Sequence, residues 1–247
     1  MSTLQGKTAW ITGGGSGIGA AAATALAAAG AEVVVSGRRQ APLDAIVAEI
    51  EAAGGKARAL ALDTSDAAAV RAAVEEIGTV DILVASAGLN VPTRAMDRIS
   101  DDNWDHVVNV NLNGVFYAAR AVLPGMRAQG DGLLILISSW AGRYATRLTG
   151  AAYNATKRGV IALSESINDE EGAHGIRSTV IMPGEVATPI LQSRPSPPSQ
   201  AEQDRMLQAE DLGATIRFVA EMPPRACINE VLIAPTWNRF YQGFEEL

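Results

Sequence analysis

Cysteine is nearly absent from this chain of 247 residues. Cys227 is the only one, which excludes an internal disulfide and any metal site built from cysteines. Histidine is scarce as well. His106 and His174 stand far apart, without cysteines or paired acids nearby, as expected of surface or structural imidazoles, so no metal centre is expected. Basic charge is in deficit: the formal net charge is −7 and the arginines are scattered, which argues against a nucleic-acid surface. Long apolar runs are also missing, and none approaches the ~20 residues of a membrane helix. The first residues, Met1 to Lys7, lack a basic region followed by an apolar block, so no secretory signal or membrane partner is expected and the cytoplasm is the expected location. Aromatic residues make up only 5% of the chain, yet Trp237, Phe240, Tyr241 and Phe244 crowd into its end. A solvated tail would not be built this way. The segment 236–247 is therefore expected to dock, either on a neighbouring subunit, as we expect here, or back on its own.

What the chain does have is alternation. Apolar stretches at Thr8–Thr12, Glu32–Ser36, Ala57–Leu62, Asp81–Ala85, Leu133–Ile137, Ser178–Met182 and Val231–Ile233 read as short buried strands. Helical stretches separate them: 20–29, 41–53, 66–77, a long one near 103–127 with Ser100, Asp101 and Asp102 as candidate caps, 153–171 and 211–221. Strands alternating with helices call for a parallel sheet covered on both faces. No internal linker divides residues 1–247, so one domain is expected. The segment of about 189–209, with Pro195, Pro197 and Pro198, is too polar and broken for core and reads as a mobile lid.

Two clusters carry chemistry. Thr12-Gly13-Gly14-Gly15-Ser16-Gly17-Ile18-Gly19 lies between the first strand and the first helix, where backbone amides at a helix N-terminus can hold a diphosphate. No Lys-Ser or Lys-Thr follows the last glycine, so this is not the phosphate loop of nucleotide hydrolases. Further on, Tyr153 and Lys157 are four apart on a helix and share a face, placing a phenol beside an ammonium. A free tyrosine titrates near ~10, and a fixed cation would help it exchange a proton near neutrality.

With both motifs present in this order, the chain resembles the short-chain dehydrogenase/reductase family along essentially its whole length. The resemblance implies an α/β fold: a Rossmann-type, doubly wound, seven-stranded parallel sheet in three α/β/α layers. It also implies a homotetramer or homodimer and hydride transfer between a nicotinamide cofactor and a small alcohol or carbonyl compound. By the same likeness Gly13, Ser16, Gly17, Ile18 and Gly19 form the diphosphate loop. Asp63 and Thr64 lie by the adenine, Ala87 and Gly88 line the adenosine side, and Pro183, Gly184, Val186 and Thr188 hold the nicotinamide amide. The family usually shows Asn-Asn-Ala-Gly where this chain has Ala85-Ser86-Ala87-Gly88, and Ser86 is the candidate to replace part of the lost hydrogen bonding. The second strand ends in Gly37-Arg38-Arg39 with no acid; guanidinium groups suit a 2′-phosphate, so NADP is expected over NAD.

The resemblance makes Ser139 the catalytic serine, Tyr153 the proton donor and Lys157 both the stabiliser of its anion and a ribose contact. Asn111 belongs to a proton relay. Ser139 and Tyr153 are fourteen apart, one more than in many members, which implies a small insertion around 143–149 and keeps Ser138 open as the alternative serine. Trp140, Tyr144 and Ile190 are expected to form an apolar substrate wall. The stretch 228–236, together with the Gly-Arg-Arg turn, is similar to a subgroup of NADP-dependent reductases of 3-hydroxy acids, serine-like alcohols or clavulanate-type aldehydes.

Overall fold

The chain begins with strand β1 (Thr8–Thr12), helix α1 (Gly17–Ala28), β2 (Glu32–Gly37), α2 (Gln40–Ala52), β3 (Lys56–Ala61), α3 (Ala67–Ile77) and β4 (Ile82–Ala85). Next come α4 (Asp101–Val108), α5 (Gly114–Gln129), β5 (Gly132–Ile137), the short α6 (Trp140–Arg143) and α7 (Ala151–Glu171). β6 (Ile176–Pro183), the short α8 (Gln200–Gln203), α9 (Ala209–Ala220) and β7 (Glu230–Ile233) complete the order. This is a computed structural model, and it describes residues 3–194 and 196–241.

The seven strands form one parallel sheet in the order β3-β2-β1-β4-β5-β6-β7, the Rossmann-type three-layer fold expected. Successive side chains of a strand face opposite sides, so one strand feeds two cores. Ile11, Val33 and Val35 pack under α1 and α9 with Leu26 and Leu212. Trp10, Val34 and Leu83 pack on the other face with Val115 of α5 and Val160 of α7. Alanine lets helices come close: a Cβ on Gly213 of α9 would sit 2.7 Å from the Ala21 carbonyl of α1. Strand order reverses between β1 and β4. The connections leaving these neighbouring strands run to opposite faces and open a crevice at the carboxyl edge of the sheet, where such folds bind ligands.

The expected helix near 103–127 is found, with a difference. Ser100 caps its start by accepting from Asn103 N at 3.3 Å, but Asn109–Asn113 form a π-turn between α4 and α5. The extra residue in that turn points Asn111 inward, where it is fully buried; single π-turns inside helices recur at functional positions.

The segment expected as a lid carries local structure. Pro189–Ser193 form a 3₁₀ turn, and α8 starts with a capping box between Ser199 and Glu202. Val186 and Leu207 pair as a β-bridge, and Leu191 and Leu207, on either side of the 195–198 prolines, are buried. Pro195 lies outside the described residues.

The tail, as far as Tyr241, packs against its own chain at Trp140. Phe240 stacks on Trp140 at 6.0 Å with the rings 9° apart, and Tyr241 meets Trp140 edge-on at 5.5 Å. Arg205 lies 5.2 Å from the Trp237 ring. A near-buried Trp140 supplies the apolar surface that these rings need. Phe244 lies outside the described residues.

Candidate active site

The glycine loop is shaped by the packing around it. Gly13 adopts φ +69°, a conformation costly for any residue with a Cβ. An added Cβ there would lie 2.8 Å from Cα of Ala87, at the end of β4. Gly19 is a packing glycine, since its Cβ would press on the Gly13 carbonyl; it brings α1 against the loop and lines neither of the cavities described below. Ser16 sits at the N-cap of α1 with no hydrogen bond from its side chain to the helix. Thr12 Oγ1 accepts from Ala87 N at 3.2 Å, so Thr12, rather than Ser86, ties the Ser86-Ala87-Gly88 turn to β1.

A cavity lies on each side of this loop. One, of about 230 Å³, is lined by Arg38, Arg39, Asp63, Thr64, Ala87 and Gly88. Asp63 accepts from Ser65 N and Oγ at 2.9 and 2.7 Å; these bonds and the Arg38 charge hold its carboxyl below the usual range despite some burial. The second cavity, of about 260 Å³, is lined by Ser139, Trp140, Tyr153, Lys157, Ile190 and the predicted 183–188 segment, including Pro183, Gly184, Val186 and Thr188. Gly13, Ser16 and Gly88 border both. Joined over the loop, the two cavities offer the donor set of a dinucleotide cradle: guanidinium groups at one end, bare amides in the middle and hydroxyls at the other.

The two candidate serines separate cleanly. Ser138 Oγ donates to the Lys157 carbonyl at 2.6 Å and is buried; it fastens β5 to α7. Ser139 accepts from Ala141 N at 3.2 Å as the cap of α6 and lines the same cavity as Tyr153, whose phenol it acts on. The residues before α7 are pinned: Asn154 Nδ2 donates to the Thr146 carbonyl and Asn90 Nδ2 to that of Thr149, both at 2.9 Å. These bonds fix the insertion expected around 143–149 and the angle at which Tyr153 enters the cavity.

Lys157 Nζ donates to the Ile137 carbonyl at 2.8 Å and lies 5.6 Å from the Tyr153 ring. Burial lowers its pKa from 10.5 to about 8. Burial also pushes the Tyr153 phenol up, outweighing the Ser139 bond and the Arg194 and Arg94 charges that act the other way. Desolvation is the largest influence on the phenol, while the Lys157 ammonium donates to Ile137. Asn111 joins the site from behind: its Oδ1 accepts from Leu89 N and its Nδ2 donates to Leu89 O, each at 2.8 Å. A Cβ on Gly88 would touch both Lys157 Nζ and Asn111 Oδ1, at 3.4 and 3.5 Å, so the three groups share one corner.

Over residues 7–198 the chain matches the family model for short chain dehydrogenase. The chain belongs to the short-chain dehydrogenase family. It is therefore an NAD(P)-dependent oxidoreductase acting on small molecules. The short-chain reductase protein NovJ of Streptomyces niveus is 40% identical, covering 89% of each chain. Glycine betaine reductase ATRR of Emericella nidulans is 37% identical over 94% of this chain, which spans only 19% of that longer protein. Among solved structures, a metagenomic short-chain oxidoreductase in complex with NADP is 32% identical with a TM-score of 0.82, covering 95% of this chain and 99% of that one.

Against this short-chain dehydrogenase frame, one expected wall residue is misplaced. Tyr144 is half exposed and packs on the outer side of Trp140, with ring centroids 4.9 Å apart, and it does not line the cavity; the turn after α6 directs it outward. Sequence reasoning missed Glu185 and Arg194, which do line it, and Arg94, which is buried nearby. Arg94 and Arg194 come from two loops far apart in the chain, so no local spacing marks them. No group of three or more His, Cys, Asp or Glu side chains suited to a metal occurs among the described residues, and no helix among them is long and apolar enough to cross a membrane.

Proposed function

We propose that the chain is an NADP-preferring reductase and dehydrogenase that interconverts a secondary alcohol or hydroxy acid with the corresponding ketone or aldehyde. The observation carrying this reading is that Ser139, Tyr153 and Lys157 line one cavity, which continues over the glycine loop. The cofactor, when bound, supplies or accepts a hydride at the nicotinamide. Arg38 and Arg39 would hold the 2′-phosphate, for which paired guanidinium donors are suited. Gly13, Ser16, Gly17 and Ile18 would hold the diphosphate, and Pro183 to Thr188 the nicotinamide amide. Ser139 and Tyr153 hold the substrate oxygen by two hydroxyls. Because burial keeps the phenol protonated, Tyr153 is ready to give a proton to an oxygen that gains negative charge. Lys157 lies beneath it with a titration near 8, able to pass a proton onward past Asn111.

NADP is favoured by the absence of any acid at the end of β2 and is in keeping with relatives such as a serine dehydrogenase complexed with NADP+, 27% identical with a TM-score of 0.84. The chain works as a single domain in the cytoplasm, as a homotetramer or homodimer. Exposed Phe116, Phe218 and Leu232 support an assembly, since apolar groups of this size favour contact with another surface. A panel of ketones, aldehydes and alcohols, followed by cofactor absorbance with NADPH and NADH, tests the reading. Turnover with NADPH at lower concentration than NADH supports it. No turnover by the folded chain, or better use of NADH, overturns the corresponding part.

A further inference from the structure

Phe240 reaches the cavity of Ser139 and Tyr153 from the far end of the chain. It lines that cavity with Trp140 and Leu148 and has no part in the cavity at the Arg38 end. Its place is set by the turn Arg239–Tyr241. Asn238, which is buried, accepts from Phe240 N through Oδ1 at 3.1 Å, and its carbonyl accepts from Tyr241 N at 2.9 Å. The turn is therefore closed by the chain's own bonds. Trp140 is nearly covered: Phe240 stacks on it with the rings 9° apart, Tyr241 meets it edge-on, and Tyr144 packs at 4.9 Å. Phe240 itself is only partly covered. Trp140 is thus the backing, and Phe240 is the ring with surface left to offer.

Ser139 and Trp140 are adjacent in the chain, so the stacked pair stands beside the hydroxyl assigned to the substrate oxygen. Ile190 and Leu191 line the same cavity, and the surroundings of the ring are apolar. A flat ring held in a fixed orientation gains most from a second flat ring: apolar area leaves water, and aromatic contact adds to the gain from area alone. Because the turn is already formed, little freedom is lost when the contact is made. We propose that Phe240, backed by Trp140, is a specificity-determining residue that receives a planar aromatic ring carried close to the reacting carbon of the substrate. The substrate class is then ring-bearing ketones and secondary alcohols rather than short open-chain ones.

The inference deepens the oxidoreductase reading above and rests on it. The test uses the full-length chain with NADPH and three ketones: 1-phenyl-2-propanone, 1-cyclohexyl-2-propanone and 2-butanone. In the first two a methylene separates ring from carbonyl, so the rings differ in flatness while the carbonyls are alike. We expect the wild type to favour the phenyl ketone in kcat/KM over both others. Phe240→Leu, which keeps an apolar side chain, should reduce the phenyl-to-cyclohexyl ratio about 2- to 10-fold, the scale of one aromatic contact. The change should fall on substrate KM, and Phe240→Tyr should retain the ratio. Should the wild type show no phenyl preference, the ratio survive Phe240→Leu, or 2-butanone lose as much as the phenyl ketone, the inference is overturned and the oxidoreductase reading stands. A rise in the KM for NADPH alone would assign Phe240 to the cofactor and also overturn it. Should no carbonyl compound turn over, the oxidoreductase reading fails and takes this inference with it. Inhibition of the wild type at saturating NADPH by 2-phenylacetamide, compared with 2-cyclohexylacetamide, is a readout independent of any variant's folding. Tighter inhibition by the phenyl compound supports the proposal, and equal inhibition counts against it.

Discussion

Lys157 Nζ and the Ile137 carbonyl are hydrogen-bonded at 2.8 Å across the junction of α7 and β5. The ammonium is therefore held by the sheet edge, beneath the phenol it serves. Burial brings its titration down to about 8. Between about 8 and the unfolded value of 10.5 the folded chain binds fewer protons than the unfolded one. This group's penalty on stability is thus present in full below pH 8 and relieved as pH rises. Activity should follow the opposite course: the ammonium is lost above pH 8, so reductive kcat/KM should break downward near that pH. A profile of kcat/KM from about pH 6 to about 10 checks this; a flat profile contradicts it.

Tyr153→Phe removes the phenolic proton and keeps the ring. Cofactor affinity should be nearly unchanged, while turnover falls by about 10²- to 10⁴-fold, the usual scale of acid/base catalysis. Stopped-flow hydride transfer together with cofactor titration distinguishes the two effects. Turnover near the wild-type rate would remove Tyr153 from the reaction.

Arg38→Gln should weaken NADPH binding by about 10- to 100-fold, because a charged hydrogen bond contributes ~1.5–3 kcal/mol. NADH binding should change far less. Fluorescence titration with both cofactors reads the difference, and an equal loss for the two would place Arg38 away from the 2′-phosphate.

Two glycines should respond in opposite ways to alanine. Gly13→Ala puts a Cβ 2.8 Å from Ala87 Cα at φ +69° and should cost ~1–3 kcal/mol along with cofactor affinity. Gly125→Ala, in α5 with nothing within 4 Å, should stabilise by ~0.5–1 kcal/mol. Thermal denaturation of both variants measures the contrast.

Trp140→Ala should destabilise by ~3–5 kcal/mol, as for a buried aromatic, and free the tail. A double-mutant cycle with Phe240→Ala should give a coupling of ~0.5–1.5 kcal/mol for the stacked pair. Zero coupling would mean that the tail does not rest on Trp140 in solution.

The elements of the proposed cofactor site were legible in the sequence because their chemistry is local. A glycine run between a strand and a helix, and a tyrosine four residues before a lysine, are fixed by backbone geometry over a few residues, so Gly13, Gly17, Tyr153 and Lys157 could be read directly. The alternation of apolar strands with helices likewise determined the parallel sheet, and every expected strand occurs. Tertiary structure alone decided which serine faces the phenol, because Ser138 and Ser139 are adjacent and only the turn into α6 sends one to Lys157 O and the other to Tyr153. It decided that the tail returns to Trp140 and that Tyr144 turns outward. It also brought together Arg94, Glu185 and Arg194, from the loop after β4 and the segment after β6. Charges scattered along the chain carry no mark of their meeting, since their convergence depends on where two separate segments end on the same sheet edge.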